Sequence, residues 1–69
     1  MEWISIYDKL PEKSGRYLVT FTWAGLCLVE MMNFHIIGHN FRWECDKFKH
    51  RDMTGNVIAW AEVIPYSNN

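Results

Sequence analysis

Gly15-Arg16-Tyr17-Leu18-Val19-Thr20-Phe21-Thr22-Trp23-Ala24-Gly25 is the stretch that decides the fold. Tyr17, Val19, Phe21 and Trp23 alternate with Leu18, Thr20 and Thr22, so a period of two gathers the aromatic and branched side chains on one face. Most of these residue types favour a pleated, half-buried backbone. The run predicts a strand over Arg16 to Ala24. Ala24-Gly25 supplies a tight reversal. Leu26 to Met32 follows with apolar residues at successive positions, as expected of a central strand covered on each side. The two strands are predicted to form a hairpin.

Working downstream, Asn33 to Asn40 holds Gly38 between two asparagines and reads as a connection, in which Phe34, Ile36 and Ile37 still need apolar cover. Phe41, Trp43 and Cys45 alternate with Arg42, Glu44 and Asp46, the pattern of a strand with one wet face. Asp46 to Gly55 is polar and charged and reads as the longest exposed loop. Asn56 to Ile64 is rich in Val, Ile and Trp and reads as the last strand, ended by Pro65, with Tyr66 to Asn69 expected to fray. Working upstream, Ser5 with Asp8 three residues later has the spacing of a capped helical turn, which Pro11 would stop. Trp3 and Ile6 are expected to cover one face of the sheet, with Trp3 and Trp60 as core pillars. The expectation is a mainly β fold, α+β at most. It is a small antiparallel sheet of about four strands with a short N-terminal helical turn, one domain over residues 1–69 without linker or repeat.

A 69-residue chain is long enough for one core and no more, because at this size only about 60% of the unfolded chain's surface is buried. Residues are 49% apolar and 16% aromatic, which compensates in part, since each large ring buries roughly 150–250 Å². A formal net charge of −1 gives no field that would draw nucleic acid or anionic membrane, so neither is favoured as a partner. Met1 is followed by Glu2 and Trp3, not by a basic segment and an apolar run, which predicts reduced thiols at Cys27 and Cys45 in a cytosol. No apolar stretch approaches the roughly 20 residues of a membrane-spanning helix.

Cys27, His35, His39, Cys45 and His50 would suffice in number for a zinc site. Their spacing argues against one: no Cys-x-x-Cys pair is present, and Ile36-Ile37-Gly38 is a poor helix for presenting His35 and His39 together. No metal and no cofactor are expected. A cysteine–histidine nucleophile lacks an orienting carboxylate or an oxyanion site nearby, and no phosphate-cradling glycine motif occurs, so an enzyme is not expected. Arg42 to Arg51 interleaves Trp43 and Phe48 with Arg42, Lys47, Lys49, His50 and Arg51, a composition that can stack on bases and neutralise phosphates. Glu44, Asp46 and Asp52 dilute that charge, and a protein surface or an anionic nucleotide suits the segment as well as a polymer does. Arg42, Trp43, Phe48, Lys49 and Arg51 are the candidate partner-binding residues.

The two ends of the chain carry a resemblance. Trp3-Ile4-Ser5-Ile6-Tyr7-Asp8-Lys9-Leu10-Pro11-Glu12, then Gly15-Arg16-Tyr17-Leu18-Val19-Thr20, resembles the opening of the domain-of-unknown-function 551 family of small phage and prophage proteins. In that family Trp-Ile-Ser/Pro-Val runs into Arg/Lys-Leu-Pro, then a glycine turn and a Val-rich strand. The closing Ala59-Trp60-Ala61-Glu62-Val63-Ile64-Pro65 keeps the tryptophan and one proline of the family's Thr-His-Trp-Met-Pro-Leu-Pro and departs from the rest. The resemblance implies a compact β-rich fold, a phage or prophage origin and a site of action in the bacterial host cytoplasm. The family has no established activity, so no functional residue carries over.

These readings lead to a non-catalytic, phage-type binding protein that engages a bacterial host macromolecule, with inhibition of a host defence or regulatory protein as the specific form. The alternative is a small-ligand protein that binds or sequesters a nucleotide as an oligomer. A homodimer is expected on separate grounds, since a short aromatic-rich sheet leaves edges and apolar surface unpaired.

Overall fold

The alternation over residues 17–23 becomes the strand around which everything else is laid. In the computed structural model, which describes residues 2–63, the strands are β1 (Ile4–Ser5), β2 (Gly15–Trp23), β3 (Leu26–Ile37), β4 (Asn40–Cys45), β5 (Arg51–Asp52) and β6 (Val57–Ala61). They form one six-stranded sheet in the order β1-β6-β2-β3-β4-β5, and every neighbouring pair is antiparallel. The expected reading of Ile64 as strand, Pro65 as its terminator and Tyr66 to Asn69 as a frayed tail lies outside the described residues.

The β2–β3 hairpin forms as read. Its register runs from Gly15 opposite Phe34 to Trp23 opposite Leu26. Both turn residues are left-handed, Ala24 at φ 51° and Gly25 at φ 78°, as a two-residue turn needs to match the twist of its strands. The strand does not stop at Met32, however. β3 continues for twelve residues to Ile37, so Asn33 to Asn40 is not a connection but the end of one strand, a turn at Gly38-His39 and the start of the next. Gly38, at φ 60°, supplies the reversal alone. Asn33 resembles a turn former in sequence, yet its amide is tied to the Asp46 carboxylate at 2.9 Å. Phe34 finds its cover between Gly15 on one side and Trp43 on the other.

The expectation that β3 is covered on each side holds for one face only. Tyr17, Val19, Phe21 and Trp23 share a face with Met32 and Phe34, with Trp43 and Cys45, and with Val57 and Trp60, and this is the core. The opposite face is open. Val29 there is 51% exposed, and no described element lies over that face. Leu26, at the hairpin's end on the core side, is 60% exposed.

At the N-terminus the helical turn gives way to an edge strand, in which Ile4 pairs with Trp60 and Ser5 with Ala59. Ser5 still organises the chain: its Oγ accepts from the Tyr7 N–H at 3.1 Å, and its carbonyl accepts from the N–H groups of Asp8 and Lys9. That is one reversal and not a helix, since a few residues cannot offset the cost of nucleation while Ile4, Ile6 and Leu10 gain burial against the core. Pro11 is buried, and the Lys9 carbonyl accepts from Trp60 Nε1 at 3.0 Å. Trp60 is a core pillar as expected; Trp3 is not, being 42% exposed.

The count of four strands is corrected to six because β1 and β5 span two residues each, too few to show any period. The last strand also hides a bulge. Thr20 lies opposite Ala59 but Phe21 lies opposite Val57, so Ile58 is an extra residue on β6. The bulge changes the parity of the strand, which lets Val57 and Trp60, three residues apart, both enter the core.

Candidate functional site

Cys45 ends β4 inside the core, and the chain must then reverse within a few residues. Asp46–Phe48 winds into a single 3-10 turn, after which Lys49 and His50 are both left-handed, at φ 56° and 60°. The His50 N–H donates to the Cys45 carbonyl at 3.1 Å, and β5 returns alongside β4 with Arg51 opposite Cys45. Asp52 Oδ1 accepts from both the N–H and the hydroxyl of Thr54, at 3.0 and 2.6 Å, and the Thr54 hydroxyl oxygen accepts from the Trp43 N–H at 3.1 Å. These bonds hold the Asp52 carboxyl below its usual range. The stretch read as one long exposed loop is therefore a turn, a short strand and the fully buried Met53, whose N–H donates to the Trp43 carbonyl at 2.7 Å.

The fold brings three of the five predicted residues together. Phe48 folds back over the core face onto β2, its ring centroid 5.3 Å from that of Trp23 and 6.1 Å from that of Phe21. Arg51 lies over the same indole, with Cζ 4.9 Å from the ring centroid. Lys49 is exposed on the turn between them. Leu26, opposite Trp23, extends this end of the sheet with an exposed apolar side chain. Trp23 and Leu26 were not among the candidates, because the only signal that could have joined them to residues 48–51 is a contact across 25 or so positions of chain.

The remaining two are placed elsewhere. Trp43 is corrected to a core residue: it is 1% exposed, 4.6 Å from Phe34 between ring centroids, and offers no surface to a partner. The alternation sets it on the same face as Cys45, and the rings of Tyr17 and Phe34 close over it there. Arg42 points to the open face and serves as a brace, with Nη2 donating to the His50 carbonyl at 3.1 Å and Nε 2.9 Å from Glu44 Oε2.

That open face carries a polar network. Glu44 lies within 4 Å of His35 and His50 as well as Arg42, while Asp46 accepts from Arg16 at 3.1 Å and Asn33 at 2.9 Å. The hydrogen bond from Arg16 is the largest cause of a lowered Asp46 carboxyl, joined by the charges of Arg16 and His50. Pairs this exposed contribute little stability each. Their effect is to anchor the turn after β4.

At the opposite end of β2, Lys9, Glu12, Lys13, Tyr17, Trp60 and Glu62 border an open cleft of about 300 Å³. The Tyr17 hydroxyl donates to the Lys13 carbonyl at 2.8 Å. Burial, and then the charge of Glu62, pushes the Tyr17 phenol above its ordinary value. Among the described residues no three His, Cys, Asp or Glu side chains gather as a metal site. Cys27 and Cys45 lie on opposite faces of the sheet and are both free thiols. No described helix is long and apolar enough to cross a membrane. No family model, curated protein or solved structure matches the chain.

Proposed function

We propose that this chain is a non-catalytic binding protein of phage type, which engages a bacterial host protein through the surface made by Trp23, Leu26, Phe48, Lys49 and Arg51. The observation that carries the reading is the Arg51 guanidinium stacked at 4.9 Å on Trp23 beside a Leu26 that is 60% exposed. Tryptophan and arginine are the side chains that most often dominate the energy of protein interfaces, and an apolar neighbour at the rim helps exclude water around them. Phe48 supports the indole from the turn, so the platform is ordered before a partner arrives and little side-chain entropy is lost on binding. The phage origin, and inhibition of a host defence or regulatory protein as the outcome, rest on the resemblance of residues 3–20.

The test compares proteins captured from bacterial lysate by the wild-type chain, by Arg51→Ala, by Leu26→Glu and by Tyr7→Ala, a control at an 87% exposed position far along the chain. A partner held by the wild type and the control, and lost about tenfold or more in the other two, supports the reading. Capture unaffected by Arg51→Ala and Leu26→Glu refutes it. The nucleotide alternative draws on one observation, the cleft bordered by Lys9 and Lys13. Glu12 and Glu62 border it too and oppose a phosphate, so a nucleotide panel is expected to give no thermal shift, and a shift abolished by Lys9→Ala would reverse the preference.

A further inference from the structure

The turn at Gly38-His39 joins Ile37 directly to Asn40, and the closing pair of such a hairpin exchanges both of its backbone hydrogen bonds. Down the ladder, bonded and non-bonded pairs then alternate. Phe41, opposite Ile36, falls in the second class, so its N–H and carbonyl point away from β3. Trp43, two residues on, points the same way: its N–H reaches Thr54 Oγ1 and its carbonyl receives the Met53 N–H. Phe41 has no such cover. β5 pairs only with Glu44 and Cys45, and no described residue bonds the Phe41 backbone. Around this open donor and acceptor stand Phe41 and Ile36 on one face, 40% and 43% exposed, and Ile37 on the other, 60% exposed.

We infer that this edge, Asn40 to Arg42, pairs with the same edge of a second copy of the chain, antiparallel and two-fold symmetric about Phe41. Three features favour a copy over an unrelated strand. One donor and one acceptor on the axial residue satisfy each other under a two-fold rotation, each Phe41 N–H donating to the other's carbonyl. The open edge is also only three residues long, because Met53 and Thr54 occupy it at Trp43. A copy presents three residues and then turns away at His39, opposite the obstruction, whereas a longer strand would collide with Thr54. Finally, no Asp, Glu, Lys or Arg lies between Glu30 and Arg42. The rotation therefore sets no like charges face to face, and Arg42, held by Glu44, meets Asn40 of the second copy.

Two backbone hydrogen bonds and three apolar side chains a side make a contact smaller than the roughly 1,000 Å² of a stable interface, so association is weak. The edge lies at the other end of β3 from Leu26, which leaves the Trp23–Arg51 surface open in the dimer.

Sedimentation from about 10 µM to 1 mM is expected to show an average mass rising from 8.3 kDa towards twice that value. Phe41→Pro removes the outward N–H and takes nothing from the β3 ladder, a change that an edge strand tolerates, and is expected to weaken association tenfold or more. A second measurement guards against a folding defect in that variant. In a Cys27→Ser background, Phe41→Cys is expected to form an intermolecular disulfide on mild oxidation, since residues paired on the axis are about 5.5 Å apart. His39→Cys, off the axis, is expected not to. A mass of one chain at 1 mM, a folded Phe41→Pro that dimerises like the wild type, or equal cross-linking at 39 and 41 overturns the inference.

Discussion

Phe34→Ala tests whether β3 runs through the segment that its composition disguises as a connection. Phe34 is 1% exposed and its ring meets those of Tyr17, Phe41 and Trp43 at centroid distances of 6.4, 5.8 and 4.6 Å. Truncating a buried phenylalanine costs about 3–5 kcal/mol through lost transfer energy and the cavity left behind. Three aromatic contacts place the expected loss at the upper end, about 5 kcal/mol. A chain of this length has roughly 3.5–10 kcal/mol in total, so the variant keeps at most about half of its stability and is unfolded in water if the total lies at the lower end. Phe34→Leu keeps most of the apolar area and is expected to lose only about 1–1.5 kcal/mol. With a urea dependence of about 1 kcal/mol per molar, its midpoint falls by about 1–1.5 M. Urea titration followed by tryptophan fluorescence and far-ultraviolet circular dichroism reads both variants, with Ile37→Ala, exposed on the same strand, expected within about 0.5 kcal/mol of wild type. If Phe34→Ala costs under about 1 kcal/mol, or no more than Ile37→Ala, Phe34 is not a core residue and the extended strand is wrong.

Thr54→Val leaves the Trp43 N–H without its acceptor and removes the clip to Asp52, so a loss of about 1–3 kcal/mol is expected in the same titration. Ala24 sits at φ 51°, where a Cβ is strained; Ala24→Gly is expected to stabilise by about 1 kcal/mol and raise the melting temperature by about 4–8 °C by calorimetry. Asp46 and Asp52 both have lowered carboxyls in the folded chain. Their stabilisation is complete above the ordinary aspartate value of 3.8 and is lost as pH falls below it through the folded values. Urea midpoints measured at pH 6 and pH 3 should drop more for the wild type than for Asp46→Asn combined with Asp52→Asn. Tyr17 behaves in the opposite sense, because its raised phenol favours the neutral form. Stability is expected to decline as pH rises beyond the ordinary tyrosine value of 10.0, and less steeply in Tyr17→Phe.

The sequence by itself determined the parts of this protein whose information is local. Tyr17 to Trp23 declared a strand, Ala24-Gly25 a hairpin, and Phe41-Trp43-Cys45 a strand with one wet face, because a period of two and a turn of fixed chirality are properties of adjacent residues. The basic neighbours of Trp43 suggest a binding residue, and its burial becomes clear only where Phe34 and Tyr17 pack against it. Phe48, Lys49 and Arg51 could be singled out from composition, but not their shared surface, which requires Trp23 and Leu26 from another strand. What only the tertiary structure decided is non-local. The edge strands β1 and β5, two residues each, exist because β6 and β4 offer them partners. The bulge at Ile58 exists because Val57 and Trp60 must both reach one core. β3 extends past Asn33 because Gly15 and Trp43 stand ready to flank Phe34, a pairing energy that no window along the chain contains.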